Sequence, residues 1–249
     1  QLLWGVDALR DQTAQPLADG RTFAPEMTQA SAAPFVQLRV PLAERLTLRG
    51  GARYEALSVD VVDFTTLRPQ FDTDGDGTPD QRNDVEGGTL TYDNLAFNAG
   101  VVFTVAKPVD LFASFQQGFA VSEIGRVLRS TVAESVEVLN PEARTVNSYE
   151  VGARVATQRL TASATGYYTT SDLGSSYGSD FEIIRSPEHV YGLEATTDLQ
   201  VIDPLAVGGT FSWVKGKRDA DDNGSYETPL PGNRIPPEKI TGYVEVTPL

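Results

Sequence analysis

Apolar and polar residues alternate along most of this chain with a period of two, which is the spacing of a β-strand with two different faces. Around residues 46–56 the apolar side chains occupy the even positions, while threonine, arginine and glutamate occupy most of the odd ones. The same alternation returns down the chain and predicts about ten strands of roughly 8 to 14 residues. The predicted strands lie near residues 1–9, 32–41, 45–59, 92–105, 109–120, 146–157, 159–171, 189–201, 204–216 and 239–248.

The connections between these strands alternate between short and long. Short turns are predicted near residues 41–44, 106–108, 157–158 and 202–203, and long connections near 10–31, 60–91, 121–145, 172–188 and 217–238. Outer-membrane barrels have short turns on one side of the membrane and long loops on the other. A tilted strand of about 9 to 11 residues is long enough to cross a bilayer. The pattern therefore predicts an antiparallel up-and-down transmembrane β-barrel rather than a soluble sandwich, whose two ends have no reason to differ so regularly.

One face of the predicted strands is strongly polar. Its members are Arg49, Arg53, Glu55, Asn98, Gln116, Glu150, Arg154, Glu194 and Asp198. These groups need water or polar partners, which a water-filled lumen or a polar plug supplies. Since barrels with a plugged lumen have about 22 strands, we interpret the chain as all-β, with about ten strands of such a larger barrel. Both chain ends fall in strand-like sequence, so residues 1–249 are interpreted as part of one barrel domain.

Composition excludes several function classes. The net charge of −14 and the pI of about 4.4 would repel a nucleic-acid backbone. The chain has no cysteine and one histidine, His189, which excludes disulfide scaffolds, thiolate zinc sites and two-histidine metal sites. The longest apolar stretch, near residues 95–106, is far below the roughly 18 residues of a membrane-spanning helix. Common enzyme motifs are also missing, so we expect no enzymatic activity.

Four motifs carry a resemblance to a known family. They are the strand at 111–119 with the following 121–126, the Val-x-x-Tyr-Glu-x-Gly strand at 146–152, the Tyr-Tyr-x-x-x-Asp segment within 162–172, and Tyr-Gly-x-Glu at 191–194. In this order the chain resembles the TonB-dependent outer-membrane siderophore receptors, in particular the ferric aerobactin type, over about residues 95–249. Gln116 and Ser122 depart from the serine and proline usual in the first motif.

The resemblance implies the function of a whole receptor. Such a receptor sits in the outer membrane of a Gram-negative bacterium and is surrounded by outer-membrane lipid. It binds a ferric siderophore, of the hydroxamate or carboxylate type, and imports it with energy from the TonB–ExbB–ExbD system. Iron then enters only as the siderophore complex, and no cofactor is required. The plug domain that contacts TonB and the last barrel strands are expected outside residues 1–249, so the chain alone is not expected to transport.

Candidate siderophore-binding residues are basic and aromatic side chains in the predicted long loops. Siderophore complexes are commonly anionic, so arginine provides charge and bidentate hydrogen bonds, and aromatic rings provide packing. The candidates are Arg126, Arg129, Arg144, Tyr177, Arg185, Tyr226 and Arg234. Of these, Arg126 and Arg129 are favoured because they directly follow the first motif.

Two acidic loops have the spacing of calcium sites. In the first, Asp72, Asp74, Asp76 and Asp80 occupy positions 1, 3, 5 and 9 around a glycine at position 6. Position 12 lacks the bidentate glutamate of an EF-hand. The second loop repeats half of the pattern with Asp219, Asp221 and Asn223. Since Asp, Asn and Gly also favour turns for backbone reasons, solvated turns remain the alternative to Ca²⁺ sites.

Two other functions remain open from the sequence alone. A secreted or surface calcium-binding β-sandwich adhesin would account for the acidic loops and the low pI. A passive outer-membrane porin would share the barrel but have an open lumen.

Overall fold

The computed structural model of the protein describes residues 1–121, 124–129, 131–139, 143–177 and 183–247, and at 126, 139, 174–177 and 183–185 the description covers the backbone only. Within these ranges the strands are β1 (Leu2–Pro16), β2 (Thr22–Ala43), β3 (Leu46–Val61), β4 (Phe64–Phe71), β5 (Gln81–Val85), β6 (Gly88–Ala106), β7 (Val109–Ala120), β8 (Arg144–Ala156), β9 (Leu160–Tyr177), β10 (Ile183–Ile202), β11 (Leu205–Arg218), β12 (Thr228–Pro229) and β13 (Lys239–Val246). The two short helices are α1 (Ile124–Arg129) and α2 (Val136–Leu139). Among the described residues, no helix is long and apolar enough to cross a membrane.

The strands form one large antiparallel sheet. Its order is β1, β2, β3, β6, β7, β8, β9, β10 and β11, and both β12 and β13 pair with β11 to complete eleven strands. The short β12 contributes only two residues, and the other ten strands correspond to those predicted. β4 and β5 leave this sheet and form a separate hairpin. The predicted antiparallel up-and-down topology is confirmed.

The outward face of the sheet is apolar and aromatic. Residues that lie directly opposite in an antiparallel pair share a face, and across β7 to β10 this places Phe115, Tyr149, Tyr168 and Tyr191 side by side. Large apolar side chains on this face are widely exposed, Trp4 by 74%. An apolar surface of this extent would cause aggregation in water. It has the composition of a lipid-facing belt with an aromatic girdle.

The opposite face, which we call the luminal face, is polar as predicted. The register places all nine predicted polar residues on it. Ion pairs join strands there: Arg53 on β3 pairs with Asp7 on β1 across β2, and on the neighbouring strands β8 and β7 the Arg154 Nε donates to the Asp110 carboxylate at 2.9 Å. Because charged side chains cover this face, it requires an aqueous or polar filling rather than a dry core.

The predicted short turns are confirmed, whereas one predicted long connection is wrong. Two or three residues join the strands at each short turn, for example at 44–45 and 107–108. The predicted loop at 10–31 is instead a continuous hairpin, because β1 and β2 stay paired until only residues 17–21 connect them. Likewise, β9 and β10 extend well into the predicted loop at 172–188. Beyond the lipid belt both faces of a strand meet water, so the apolar alternation that identified the strands ends before the strands do.

The buried core lies at the outer end of the sheet, where the long connections are. It consists of Leu57, Val59, Val61, Phe64, Val85, Leu90, Leu128 and Val136. These residues come from β3, β6, the β4–β5 hairpin and the two helices. The core therefore packs the long connections against the luminal face instead of filling the barrel.

Candidate ligand-binding mouth

The core at the outer end arises from a change of phase in β3. Up to Ala56 the apolar residues of β3 point outward, but Leu57, Val59 and Val61 point to the luminal face. On β6, Leu90 lies opposite Val59 and continues this apolar luminal patch. The patch needs a cover, which the β4–β5 hairpin and the segment 124–139 supply. We call these two covering segments together the luminal cap.

Polar contacts lock the two halves of the luminal cap together. The Asn83 side-chain amide donates to the carbonyl oxygens of Thr131 at 3.2 Å and Ala133 at 2.7 Å. Its backbone N–H donates to the Thr66 Oγ1 at 2.9 Å, and Asn83 itself is buried. Beside it, the Glu86 N–H donates to the Glu134 carbonyl at 2.8 Å. Since these buried groups are satisfied by each other, the cap is a defined surface at the mouth of the lumen.

Helix α1 contains the two favoured arginines. Arg126 lies in the middle of this helix, and nothing beyond its backbone is described. Arg129 ends the helix with its guanidinium carbon 4.1 Å from the centroid of the Phe23 ring on β2, a cation–π geometry. Arg129 is half-buried. It therefore helps to hold the cap against β2 while lying at the mouth.

A second group of luminal residues lies on β8 to β11. The register places Ser171 opposite Glu188, and Glu188 opposite Arg218. Ser171 is 5% exposed, and its Oγ has no hydrogen-bond partner within the part of the chain that the structure describes. Buried nitrogens of Arg218 and of Arg144, which begins β8 on the same face, also lack partners among the described residues. Two partly buried guanidinium groups without an anion favour binding of an acidic ligand here.

The connection between β11 and β13, residues 219–238, folds over both sides of the sheet edge; we call it the rim loop. On the luminal side, the Arg234 guanidinium donates to both oxygens of Glu188, at 2.6 and 2.8 Å. On the outward side, the Tyr226 ring stacks on His189 with the centroids 4.5 Å apart. Burial raises the pKa of the Tyr226 hydroxyl. Because neighbouring residues 188 and 189 are held from opposite faces, the rim loop is anchored to β10.

The first acidic loop brings three of its four candidate ligands together. Carboxylate oxygens of Asp72, Asp74 and Asp76 lie within 4.8 Å of one another, all on exposed residues. Asp72 accepts hydrogen bonds from the N–H groups of Gly75 and Gly77, chiefly Gly77, and these lower the pKa of its carboxyl. Both glycines have positive φ, a backbone shape that glycine adopts without strain.

The fourth candidate of this loop is used differently. The Asp80 carboxylate accepts hydrogen bonds from the N–H and the hydroxyl of Thr73, so it closes the base of the loop. Three clustered carboxylates fit a hard divalent cation, although they supply fewer ligands than Ca²⁺ usually takes.

The second acidic loop is built around a buried carboxylate. Asp219 is 2% exposed and accepts hydrogen bonds from the N–H groups of Asn223 at 3.1 Å and Gly224 at 2.7 Å. Asp221 accepts from the side-chain amide of Asn223 instead. These contacts support the turn interpretation of this loop over a Ca²⁺ site, because the carboxylate of Asp219 already accepts hydrogen bonds from backbone N–H groups.

The remaining candidates stand at the outer ends of two paired strands. Tyr177 is the last residue of β9, and Arg185 lies near the start of β10. Their side chains lie outside the part of the chain that is described.

The most informative partners at the mouth were missed from the sequence. Asn83, Ser171, Glu188 and Arg218 are single polar residues without a motif, and their roles come from contacts across strands. One sequence signal was present: the shift of apolar positions from even to odd at Leu57 indicates that something covers the luminal face there.

The two faces of the sheet and the ordered connections at one end define the wall and outer mouth of a transmembrane β-barrel. The family profile described as TonB dependent receptor-like, beta-barrel matches residues 2–246. The chain therefore belongs to this family, whose members are outer-membrane β-barrels of Gram-negative bacteria. It is a family of transport receptors rather than enzymes.

Individual relatives agree with the family. The chain is 28% identical over 235 residues to the rhizobactin receptor of Rhizobium meliloti (strain 1021), covering 88% of this chain and 31% of that protein. It is 24% identical over 282 residues to the ferric aerobactin receptor of Klebsiella pneumoniae, covering 100% of this chain and 38% of that protein. The chain thus spans about a third of the length of these relatives. The resemblance to siderophore receptors is confirmed.

Solved structures show the same fold at low identity. The copper transporter OprC superposes with a TM-score of 0.74 at 16% identity, covering 98% of this chain and 38% of that chain. The ferric yersiniabactin uptake receptor FyuA from Yersinia pestis superposes with a TM-score of 0.68 at 13% identity, covering 98% of this chain and 35% of that chain. Neither the β-sandwich adhesin nor the passive porin is favoured by these comparisons.

Proposed function

We propose that the full-length protein is an outer-membrane receptor that binds a ferric siderophore at its outer mouth and imports it through the barrel. The family match over residues 2–246 carries this proposal. Two relatives are named the rhizobactin receptor and the ferric aerobactin receptor, which supports a siderophore as the ligand. Within this class we propose a siderophore of the hydroxamate or carboxylate type. Energy comes from TonB with ExbB and ExbD, through a plug domain outside this chain. The chain supplies binding and a transport path, and no catalytic step.

The binding residues in this proposal surround the mouth. Arg126 and Arg129 belong to helix α1 of the luminal cap, and Arg144 and Arg218 belong to the sheet. The unpartnered nitrogens of Arg144 and Arg218 support binding of a negatively charged complex, because an anion would satisfy them. Candidates Tyr177 and Arg185 stay in the proposal as residues at the outer ends of β9 and β10.

Two earlier candidates have structural partners that favour another role. Arg234 holds the rim loop through Glu188, and Tyr226 lies against His189 on the outward face. In the proposal they position the rim loop beside the mouth and do not contact the siderophore.

The test is ferric siderophore binding to the full-length receptor in detergent. Replacing Arg144 and Arg218 together with glutamine should weaken binding of a carboxylate-bearing ferric hydroxamate by roughly a hundredfold or more, because each lost charge-assisted hydrogen bond contributes at least about 1.5 kcal/mol. The R126A/R129A variant should also bind more weakly. Insertion of the barrel should not change, which heat-dependent gel mobility reports.

The matched control removes two cations at the opposite end of the barrel, by Lys107→Gln with Arg159→Gln. Both residues lie in short turns and are exposed. If this control loses as much affinity as R144Q/R218Q, total charge rather than the mouth governs binding. Unchanged affinity of R144Q/R218Q would remove both residues from the site.

We also propose that Ca²⁺ binds the loop at 72–80 through Asp72, Asp74 and Asp76. Calorimetric titration of the full-length receptor should detect binding at millimolar Ca²⁺. Asp74→Asn should abolish this binding, whereas the control Asp203→Asn, in a distant turn, should leave it intact. No binding heat at millimolar Ca²⁺ would leave the solvated-turn interpretation.

A further inference from the structure

Two arginines lie side by side on the luminal face near the inner end of the sheet, where the short turns are. Arg39 on β2 is directly opposite Arg49 on β3, close to the turn at 44–45, and both residues are exposed. Like charges directly opposite each other on two strands destabilise a sheet. An anion bound to the two guanidinium groups would relieve this repulsion.

The positions around this arginine pair supply no counter-charge. No acidic side chain occupies the luminal positions that border the pair, which hold Gln1, Gln37, Pro41, Thr47, Gly51 and Gly100. In the described part of the chain, no carboxylate oxygen lies within 4.0 Å of a guanidinium nitrogen of Arg39 or Arg49. From the inner end, the first acidic luminal residues along β1, β3 and β7 are Asp7, Glu55 and Asp110, and each pairs with another arginine. The two guanidinium groups therefore keep their positive charge for a ligand.

A hollow of about 270 Å³ opens beside the pair. Gln37 and Asn98, which carry amide N–H donors, line it together with both arginines. The Asn98 amide lies across Gly51, because a Cβ on this glycine would stand 3.0 Å from the amide nitrogen. Guanidinium and amide N–H groups are the donors that bind a carboxylate, and arginine does so through two parallel hydrogen bonds. The hollow therefore offers a carboxylate donors from three strands, β2, β3 and β6.

A second hollow, of about 280 Å³, adjoins Arg49 on the side of β6 and β7, and its wall is mostly apolar. Val102 and Phe112 lie opposite each other in this wall. The Phe112 ring fills the space over Gly152 on β8, where a Cβ would collide with it, so the ring lies against the wall. Gly100, directly opposite Arg49, adds no side chain and leaves the hollow open. Concave surfaces that are mostly apolar with a few polar groups are typical of small-molecule sites.

We propose that Arg39 and Arg49 form an inner anion site, which receives a carboxylate of the ferric siderophore after it has left the mouth, while the aliphatic part of the ligand lies over Val102 and Phe112. The inference rests on the proposed transport function and adds a second binding step to it. A small ligand with both carboxylate and aliphatic groups uses both hollows, whereas one acidic side chain of the plug would use the polar hollow alone. Because an anion that leaves the arginines of the mouth loses their charge, a second cationic site lowers the barrier to its passage.

The experiment separates binding from import in cells that produce the full-length receptor. The probe is the radiolabelled ferric complex of a citrate-based dihydroxamate, with binding measured in cells without TonB and uptake in cells with TonB. In R39Q/R49Q the binding affinity should stay within about twofold of wild type, whereas uptake at saturating probe should be roughly tenfold slower, because charge-assisted hydrogen bonds to the carboxylate are lost. R39K/R49K keeps the charge without the bidentate geometry and should recover part of the uptake rate.

A second variant fills the apolar hollow without changing charge. A Cβ on Gly100 would make only ordinary contacts, at 3.5 Å from the Ala113 carbonyl oxygen and 3.7 Å from the Ser114 Cβ, so Gly100→Leu should fold. Its side chain should slow uptake of the probe while binding at the mouth stays normal. Uptake at the wild-type rate would contradict the placement of the ligand beside Arg49.

The matched control, K107Q/R159Q, removes two cations from exposed turns at the same end of the barrel and should import at the wild-type rate. Wild-type uptake by R39Q/R49Q, or an equal loss in K107Q/R159Q, would overturn the proposal. If R39Q/R49Q loses uptake and also admits an antibiotic too large for the intact receptor, the pair holds the plug instead, which would overturn it as well. Failure of wild-type cells to bind or import the probe would contradict the proposed function itself, so the two failures are distinguishable.

Discussion

The contact between Arg234 and Glu188 should control how firmly the rim loop is held. Glu188 is buried, and both of its oxygens accept hydrogen bonds from the Arg234 guanidinium, at 2.6 and 2.8 Å. Removing one partner of a buried ion pair costs about 3–5 kcal/mol because the other charge is left uncompensated. We expect the lower end, about 3 kcal/mol, because the Arg234 side chain is 23% exposed and water can reach it.

Hydrogen exchange of the full-length receptor measures this directly. In Arg234→Met, amides of the rim loop should exchange roughly a hundredfold faster, which corresponds to about 3 kcal/mol of local opening. The double variant E188Q/R234M should recover much of the protection, since no charge is then left buried. In the control, Arg159→Met breaks an exposed pair with Asp203 at 3.9 Å and should change exchange by less than about threefold.

If rim-loop protection in Arg234→Met falls by no more than in the Arg159→Met control, the ion pair with Glu188 does not hold the rim loop. If the double variant opens as much as the single one, the cost does not arise from an uncompensated carboxylate.

Two further changes test the luminal cap and the lipid belt. Asn83→Ala removes both hydrogen bonds to the segment 124–139 and should destabilise the luminal cap by about 2 kcal/mol. Limited proteolysis should therefore cut that segment faster while the barrel strands stay intact. An unchanged cleavage rate would argue that Asn83 does not hold the two halves of the cap together. Phe97 lies on the outward face opposite Ala52, well away from the turn at 107–108, so Phe97→Arg should hinder assembly into lipid by about 2–4 kcal/mol. Asn98→Arg, on the luminal face, should assemble normally. Equal folded fractions on heat-dependent gel mobility would argue against the assignment of faces.

The strands were predictable because the lipid belt imposes a period of two on them. Within the belt one face meets hydrocarbon and the other meets polar groups, and the alternation near residues 46–56 follows directly. Above the belt this contrast disappears. Consequently the outer halves of β1 and β2, which pair until residue 16 and from residue 22, looked like a long loop.

The site was less predictable because its contacts join distant parts of the chain. Glu188 and Arg234 are 46 residues apart, and Asn83 reaches a carbonyl 50 residues away. Loop arginines could be proposed from charge alone, but their partners could not. The acidic loop at 72–80 was more predictable from the sequence, since its turn is set by neighbouring carboxylates and glycines.

Uptake of a radiolabelled ferric siderophore into cells that produce the full-length protein is the most direct test of its assignment as a TonB-dependent importer. We expect uptake of a hydroxamate or carboxylate siderophore in cells with TonB and none in the same cells without it. Uptake that persists without TonB would contradict an energised receptor and favour a passive pore. Absence of uptake for every siderophore of these two types would contradict the proposed substrate class.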